Sequence, residues 1–155
     1  MKFRDYLPLF ITSILLLLLS GCQLANKEPT ESPLASLTET YWKLIELDGH
    51  KVQMGKTQKR EAHFILHNQD KRIAGFNGCN RFFGQFSVTL VDSSRGQLTI
   101  GALGATKMAC HDLAIREQRV MRVYYDQVSF EISGETLTLF NKDLKALAKF
   151  EAIYF

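Results

Sequence analysis

Apolar and polar residues alternate through most of this chain beyond residue 40. Residues 41–47 set Trp42 and Leu44 on the side opposite Tyr41 and Lys43, and Asp48-Gly49 then turns the chain. Ala62, Phe64 and Leu66 alternate with His63, Ile65 and His67 in a second half-buried strand. Residues 72–76 and 82–91 flank Asn77-Gly78, a pair that supplies the two positive φ angles of the tightest hairpin turn. Residues 93–96 turn into a strand over 97–100. Strands over 128–132, 136–140 and 144–150 close the chain, separated by Ser133-Gly134 and residues 141–143. Short strands joined by polar turns predict an antiparallel sheet, strongly bent into a barrel-like roll.

One stretch breaks the alternation. Over 112–127, Leu113, Val120 and Tyr124, continuing to Val128, recur at helical steps, and Met121 widens the stripe. Asp112 is placed to cap its start, and no glycine or proline interrupts it. This predicts one amphipathic helix lying on the sheet, with Met121 and the two tyrosines as packing residues. The fold class is therefore α+β, a single small domain.

The N-terminus has a different pattern. Lys2 and Arg4 precede an apolar run over 7–19, broken only by Pro8, Thr12 and Ser13. A bilayer span needs about 20 residues, so the run suits a secretory signal better. It ends in Leu19-Ser20-Gly21-Cys22, which resembles a bacterial lipobox. The resemblance implies a lipoprotein signal peptide over 1–21, lipid on Cys22, and the membrane as partner through that lipid. Gln23 is not the aspartate associated with inner-membrane retention, so the same resemblance implies anchorage at the outer membrane, with the domain facing the periplasm. Residues 22–38 carry Pro29 and Pro33 among polar residues without any period, and read as an extended tether. The sixteen residues 23–38, fully stretched, reach on the order of 50 Å. The folded domain is expected over 39–155.

The formal charge of the chain is +3, and losing Lys2, Arg4 and Asp5 with the signal lowers it by one. Charges of both signs are interspersed, which leaves no electrostatic case for nucleic acid. The short basic runs at 56–60 and 70–72 read as solvated loops.

Lipidation would consume Cys22 and leave Cys79 and Cys110. In an oxidising compartment two remaining thiols tend to pair. Such a bridge would be worth roughly 3.5 to 4 kcal/mol by loop closure. A redox-active pair and a catalytic nucleophile are the alternatives, although Cys-X-X-Cys spacing is lacking. His63 and His67 sit about 13 Å apart along a strand, too far to share one zinc ion. His111 lacks a partner set, so neither metal nor cofactor is expected. No Gly-X-Ser-X-Gly, phosphate loop or dinucleotide fingerprint occurs. Aromatics with arginine around a stapled turn suit recognition, which makes Phe76, Asn77, Asn80, Arg81 and Phe83 a candidate binding surface. The plainer reading places these phenylalanines, and Phe82 between them, in the core.

The stretch Gly78-Cys79-Asn80-Arg81-Phe82-Phe83-Gly84, followed by Ala105-Thr106-Lys107-Met108-Ala109-Cys110, resembles the META domain of HslJ-like heat-shock lipoproteins. Trp42-Lys43-Leu44, Glu117 and Leu137-Thr138-Leu139 match the same pattern in order, from about Leu37 onward. The resemblance implies a small bacterial envelope protein, linked in some members to stress responses, without established enzymatic activity. Phe83 and Tyr124 depart from it, since the family often has a smaller or polar residue at the first position and an aliphatic one at the second. The expected function is a non-enzymatic module binding an envelope protein or cell-wall component. Inhibition of a host or phage hydrolase, or thiol redox chemistry at Cys79 and Cys110, are the alternatives.

Overall fold

The structure is a computed structural model that describes residues 35–155 apart from Thr57, residues 112–116 and Asp126. Its strands are β1 (Tyr41–Leu47), β2 (His50–Lys51), β3 (His63–His67), β4 (Arg72–Phe76), β5 (Arg81–Leu90), β6 (Arg95–Ile100), β7 (Gly104–Ala105), β8 (Val128–Ser133), β9 (Thr136–Phe140) and β10 (Ala146–Ile153). A helix, α1 (Glu117–Arg122), lies between β7 and β8. Strands β1, β3, β4, β5, β6, β8, β9 and β10 pair antiparallel in a ring, while β2 hangs on β1 and β7 on β5.

The ring closes where β1 meets β10, from Tyr41 opposite Ile153 to Leu47 opposite Ala148. The sheet is thus a closed barrel, where alternation predicted only a bent roll. Closure gives the backbone groups of the first and last barrel strands mutual partners instead of leaving two open edges. The joined strands lie at opposite ends of the domain sequence, so no local pattern announces their pairing.

Inward-facing positions fill the barrel. Trp42, Leu44, Phe64, Leu66, Ile73, Phe82, Leu98, Leu137, Leu139 and Phe150 are all essentially without solvent exposure. Phe64 packs edge-on against Phe150 and Tyr124, with ring centroids 4.9 and 5.7 Å apart. The Tyr124 ring also lies 5.2 Å from Phe82, so α1 and the turn after it send Val120 and Tyr124 into the barrel interior.

The helix ends earlier than the stripe predicted. Regular helix stops at Arg122, and the amides of Val123 and Tyr124 bond back only three residues, to the carbonyls of Val120 and Met121. Val120, Met121, Val123 and Tyr124 are all buried, so the tighter turn continues the inward face of the helix past its regular end. Tyr125, expected to pack, is exposed, and Leu113 and the Asp112 cap lie outside the described residues.

The extended tether expected through Thr38 also stops sooner. Ala35 and Leu37 are buried in the core, the Ala35 amide donates to the Gly134 carbonyl, and the Trp42 indole donates to the Leu37 carbonyl. The indole N–H would be costly to bury without that acceptor. Finally, β6 starts at Arg95 rather than 97. Asp92 Oδ1 accepts from the backbone amides of Ser94 and Arg95, which tightens the turn before it.

Candidate functional site

Phe76 stands opposite Arg81 in the ladder between β4 and β5, so the loop between them is residues 77–80. Here the Asn-Gly pair does not form the expected two-residue turn, because only Gly78 has a positive φ, of 100°. Asn77 uses its side chain instead. Its Oδ1 accepts from the amides of Cys79 (3.1 Å) and Asn80 (2.7 Å), and its own amide donates to the Asn80 carbonyl. The arrangement with two consecutive positive φ angles occurs at Asp48-Gly49, at 51° and 79°, where β1 turns into β2.

The loop is fastened to the segment after β7 twice. Cys79 and Cys110 are joined by a disulfide, with Cα atoms 5.9 Å apart. Beside it, buried Asn80 is a hydrogen-bonding hub. Its Oδ1 accepts from Met108 N–H (2.7 Å) and Thr106 O–H (2.8 Å), and its Nδ2 donates to Glu117 Oε2 on α1 (2.6 Å). Thr106 in turn bonds the backbone of Arg81 through both its amide and its hydroxyl. One asparagine therefore ties β5, the 106–108 segment and the helix together.

This frame borders an open cleft of about 650 Å³. Phe76, Met108 and the disulfide supply apolar wall, and Arg81, Thr106 and His111 line it with Gln58, Lys59 and Arg60 from the loop before β3. No aspartate or glutamate among the described residues lines it. Among the described residues, Arg72, Arg95 and Arg119 are paired with carboxylates, whereas Lys59, Arg60 and Arg81 have no salt bridge.

The outer face of the barrel leads away from the cleft as an aromatic row. His63 stands opposite Phe76 on one side and Lys43 on the other. The Tyr41 ring stacks on His63 at 4.2 Å, and Phe155 meets Tyr41 edge-on. Tyr41 donates its hydroxyl to Glu61 Oε1 at 2.8 Å. Burial, then this bond, raises the Tyr41 hydroxyl well above the ordinary tyrosine range. Burial also pushes the His63 imidazole below its ordinary 6.5, against the raising effect of its contact with the Glu61 carbonyl. For Glu61 burial opposes ionisation, but bonds from its own backbone and Tyr41, with His63 and Lys43 nearby, hold the carboxyl below its ordinary value.

Of the residues expected to form a binding surface, Phe76 and Arg81 line the cleft. Asn77 and Asn80 do not face solvent. They are buried, with 2% and 3% exposure, because their side chains serve the loop and the hub. Phe83 is exposed but lies over Gly104, where a Cβ would meet its ring at 2.9 Å, and is absent from the cleft lining. Phe82 is core. Cys22 lies outside the described residues. His63 is occupied with Tyr41 and the Glu61 backbone, and His67 contacts Glu39, so the two histidines are engaged separately. Among the described residues no group of three or more His, Cys, Asp or Glu converges as a metal site. Sequence reasoning missed Gln58, Lys59, Arg60, Thr106, Met108 and His111. The basic run at 56–60, read as a solvated loop, was the available signal.

Two solved structures share the fold. An NMR structure of a protein from Burkholderia xenovorans is 21% identical, with 77% of this chain and 85% of that one covered, at a TM-score of 0.53. A second protein solved by NMR is 20% identical, covering 72% of this chain and 88% of its own, also at 0.53. No curated protein matches. The sequence itself matches the META domain over residues 35–153, a span that starts at Ala35, the first described residue and part of the buried core. With barrel, loop and stapled segment all inside that span, the chain belongs to the META domain family.

Proposed function

We propose that this protein is a non-enzymatic binding module of the bacterial envelope, linked to stress responses as its family suggests, and that the cleft beside the disulfide is its binding surface. The observation that carries this reading is the cleft's frame. A disulfide and a buried hydrogen-bonding hub hold an apolar wall beside Lys59, Arg60 and Arg81, which have no salt bridge among the described residues. Preformed concave sites that combine apolar wall with a few polar groups are where ligands bind. A frame that is already ordered spares the complex the cost of ordering it. The Cys79 and Cys110 sulfurs are bonded to each other, so neither serves as a nucleophile in this state. The lipobox supports delivery to the outer membrane, with lipid on Cys22 and the domain in the periplasm, where an envelope protein or cell-wall component is the partner.

Photo-crosslinking residues placed at Arg81 and Lys59 in living cells test the surface, with Lys142 as a distant control. Adducts expected from the first two positions and not the third support it, and equal labelling from all three would refute it. Cys22→Ala should abolish incorporation of a fatty-acid analogue and leave an unprocessed precursor. Continued incorporation would defeat the anchor assignment.

A further inference from the structure

The charge distribution around the cleft narrows what it takes. Lys59, Arg60 and Arg81 line it, and none of them has a salt bridge among the described residues. Elsewhere on the described surface other cations, Lys51, Lys107 and Arg122 among them, also lack a salt bridge. What sets the cleft apart is that three such cations line one apolar wall, while five cations outside it are paired. Lys43 meets Glu151, Arg72 meets Asp70, Arg95 meets Asp92, Arg119 meets Asp48 and Lys149 meets Glu46. Glu61, which follows Arg60 in sequence, accepts the Tyr41 hydroxyl. Glu117 is held by Asn80 on the other side of the frame. The cleft is thus a place where unneutralised cations converge on an apolar wall of Phe76, Met108 and the disulfide.

Such a site attracts an anion electrostatically, and its guanidinium forks match a carboxylate in two parallel hydrogen bonds. An anion without an apolar part would leave the Phe76 and Met108 wall unused, and a neutral apolar ligand would leave the cations unmatched. Resting on the reading of the cleft as the binding surface, we infer that its ligand is an amphipathic carboxylate, with an apolar body against Phe76 and Met108 and its carboxylate on Arg81 and Arg60. A volume of about 650 Å³ lies within the range of small-ligand pockets, so the recognised unit is a small molecule or a short terminal segment of a larger one.

Three probes of matched shape test this on the full chain: 4-phenylbutyrate, its neutral amide, and 4-phenylbutylammonium. Binding is read by ligand-observed NMR, and its location by shifts of the Met108 methyl and Gly78 amide signals. The carboxylate should bind about tenfold or more tighter than either of the others, and raising the salt should weaken it. The Arg60→Ala/Arg81→Ala variant should lose that advantage while keeping the amide's affinity. Retained amide binding shows that the variant is folded. If the amide or the ammonium binds at these signals as well as the carboxylate, the charge assignment is overturned while the cleft stands as the binding surface. If no probe shifts the Met108 and Gly78 signals, both readings fall.

Discussion

Replacing Asn80 by alanine tests the hub that frames the cleft. Its bond to Glu117 is charge-assisted, worth about 1.5–3 kcal/mol, and the two bonds accepted from Met108 and Thr106 add about 1 kcal/mol each. The contact from Nδ2 to the Met108 carbonyl, at 3.3 Å, is too long to add much. The full sum overstates the cost. Thr106 and Met108 are exposed and Glu117 is half-buried, so each regains water once the amide is gone. The expected loss is about 2–3 kcal/mol in urea unfolding, with the disulfide intact. Asn80→Asp is the sharper variant. It keeps the shape but sets a carboxylate against Glu117 Oε2, where the amide now donates at 2.6 Å. Two carboxylates that close repel at neutral pH and can share one proton in acid. Its deficit relative to the parent should therefore exceed that of Asn80→Ala at pH 7 and shrink as the pH falls towards about 4. In a double-mutant cycle, Asn80→Ala and Glu117→Ala should show a coupling of about 1–2 kcal/mol. An aspartate variant whose deficit is the same at both pH values, or a coupling near zero, would refute this account of the frame.

Three further outcomes follow from the fold. The oxidised protein should have no alkylatable thiol before denaturation with reductant, and Cys79→Ala/Cys110→Ala should fold but lose about 3.5 kcal/mol. Ready alkylation of both cysteines in the native state would remove the staple. Val120→Asp, at a position 1% exposed, should cost several kcal/mol by burying a charge, while Arg119→Ala removes only an exposed pair with Asp48 and should cost under about 1 kcal/mol; equal melting temperatures would put the wrong face inward. Stability should fall on acidification, because folded His63 and Glu61 both bind protons less readily than their unfolded counterparts. The loss begins as the pH drops below 6.5 for the histidine and below 4.5 for the glutamate, and His63→Phe, which keeps the stack on Tyr41, should flatten the upper part of the slope in urea titrations.

What the sequence determined by itself is whatever depends on neighbours. Residues 41–47, 72–76 and 136–140 read as strands, and β1, β4 and β9 have those bounds, although a bulge between Leu44 and Glu46 breaks the alternation of β1. Asp48-Gly49 turns as written because two adjacent φ angles settle its geometry. The motif around Cys79 and Cys110 carried the family and brought the two cysteines forward as a pair. What only the tertiary structure decided depends on segments far apart in sequence. Period-two alternation says that Trp42 and Ala152 each face one way, but not that their strands pair and close a barrel. It could not separate Phe76, on the cleft, from Phe82, in the core, without knowing which surface the strand turns inward. Polar side chains next to a turn look exposed, yet Asn77 and Asn80 are buried because their hydrogen-bonding partners arrive from the loop backbone and from the segment after β7. Lys59 and Arg60 look like a solvated run until β3 and β4 carry Phe76 beside them. Local periodicity records which side of an element is apolar, whereas a cleft exists only where separate elements meet.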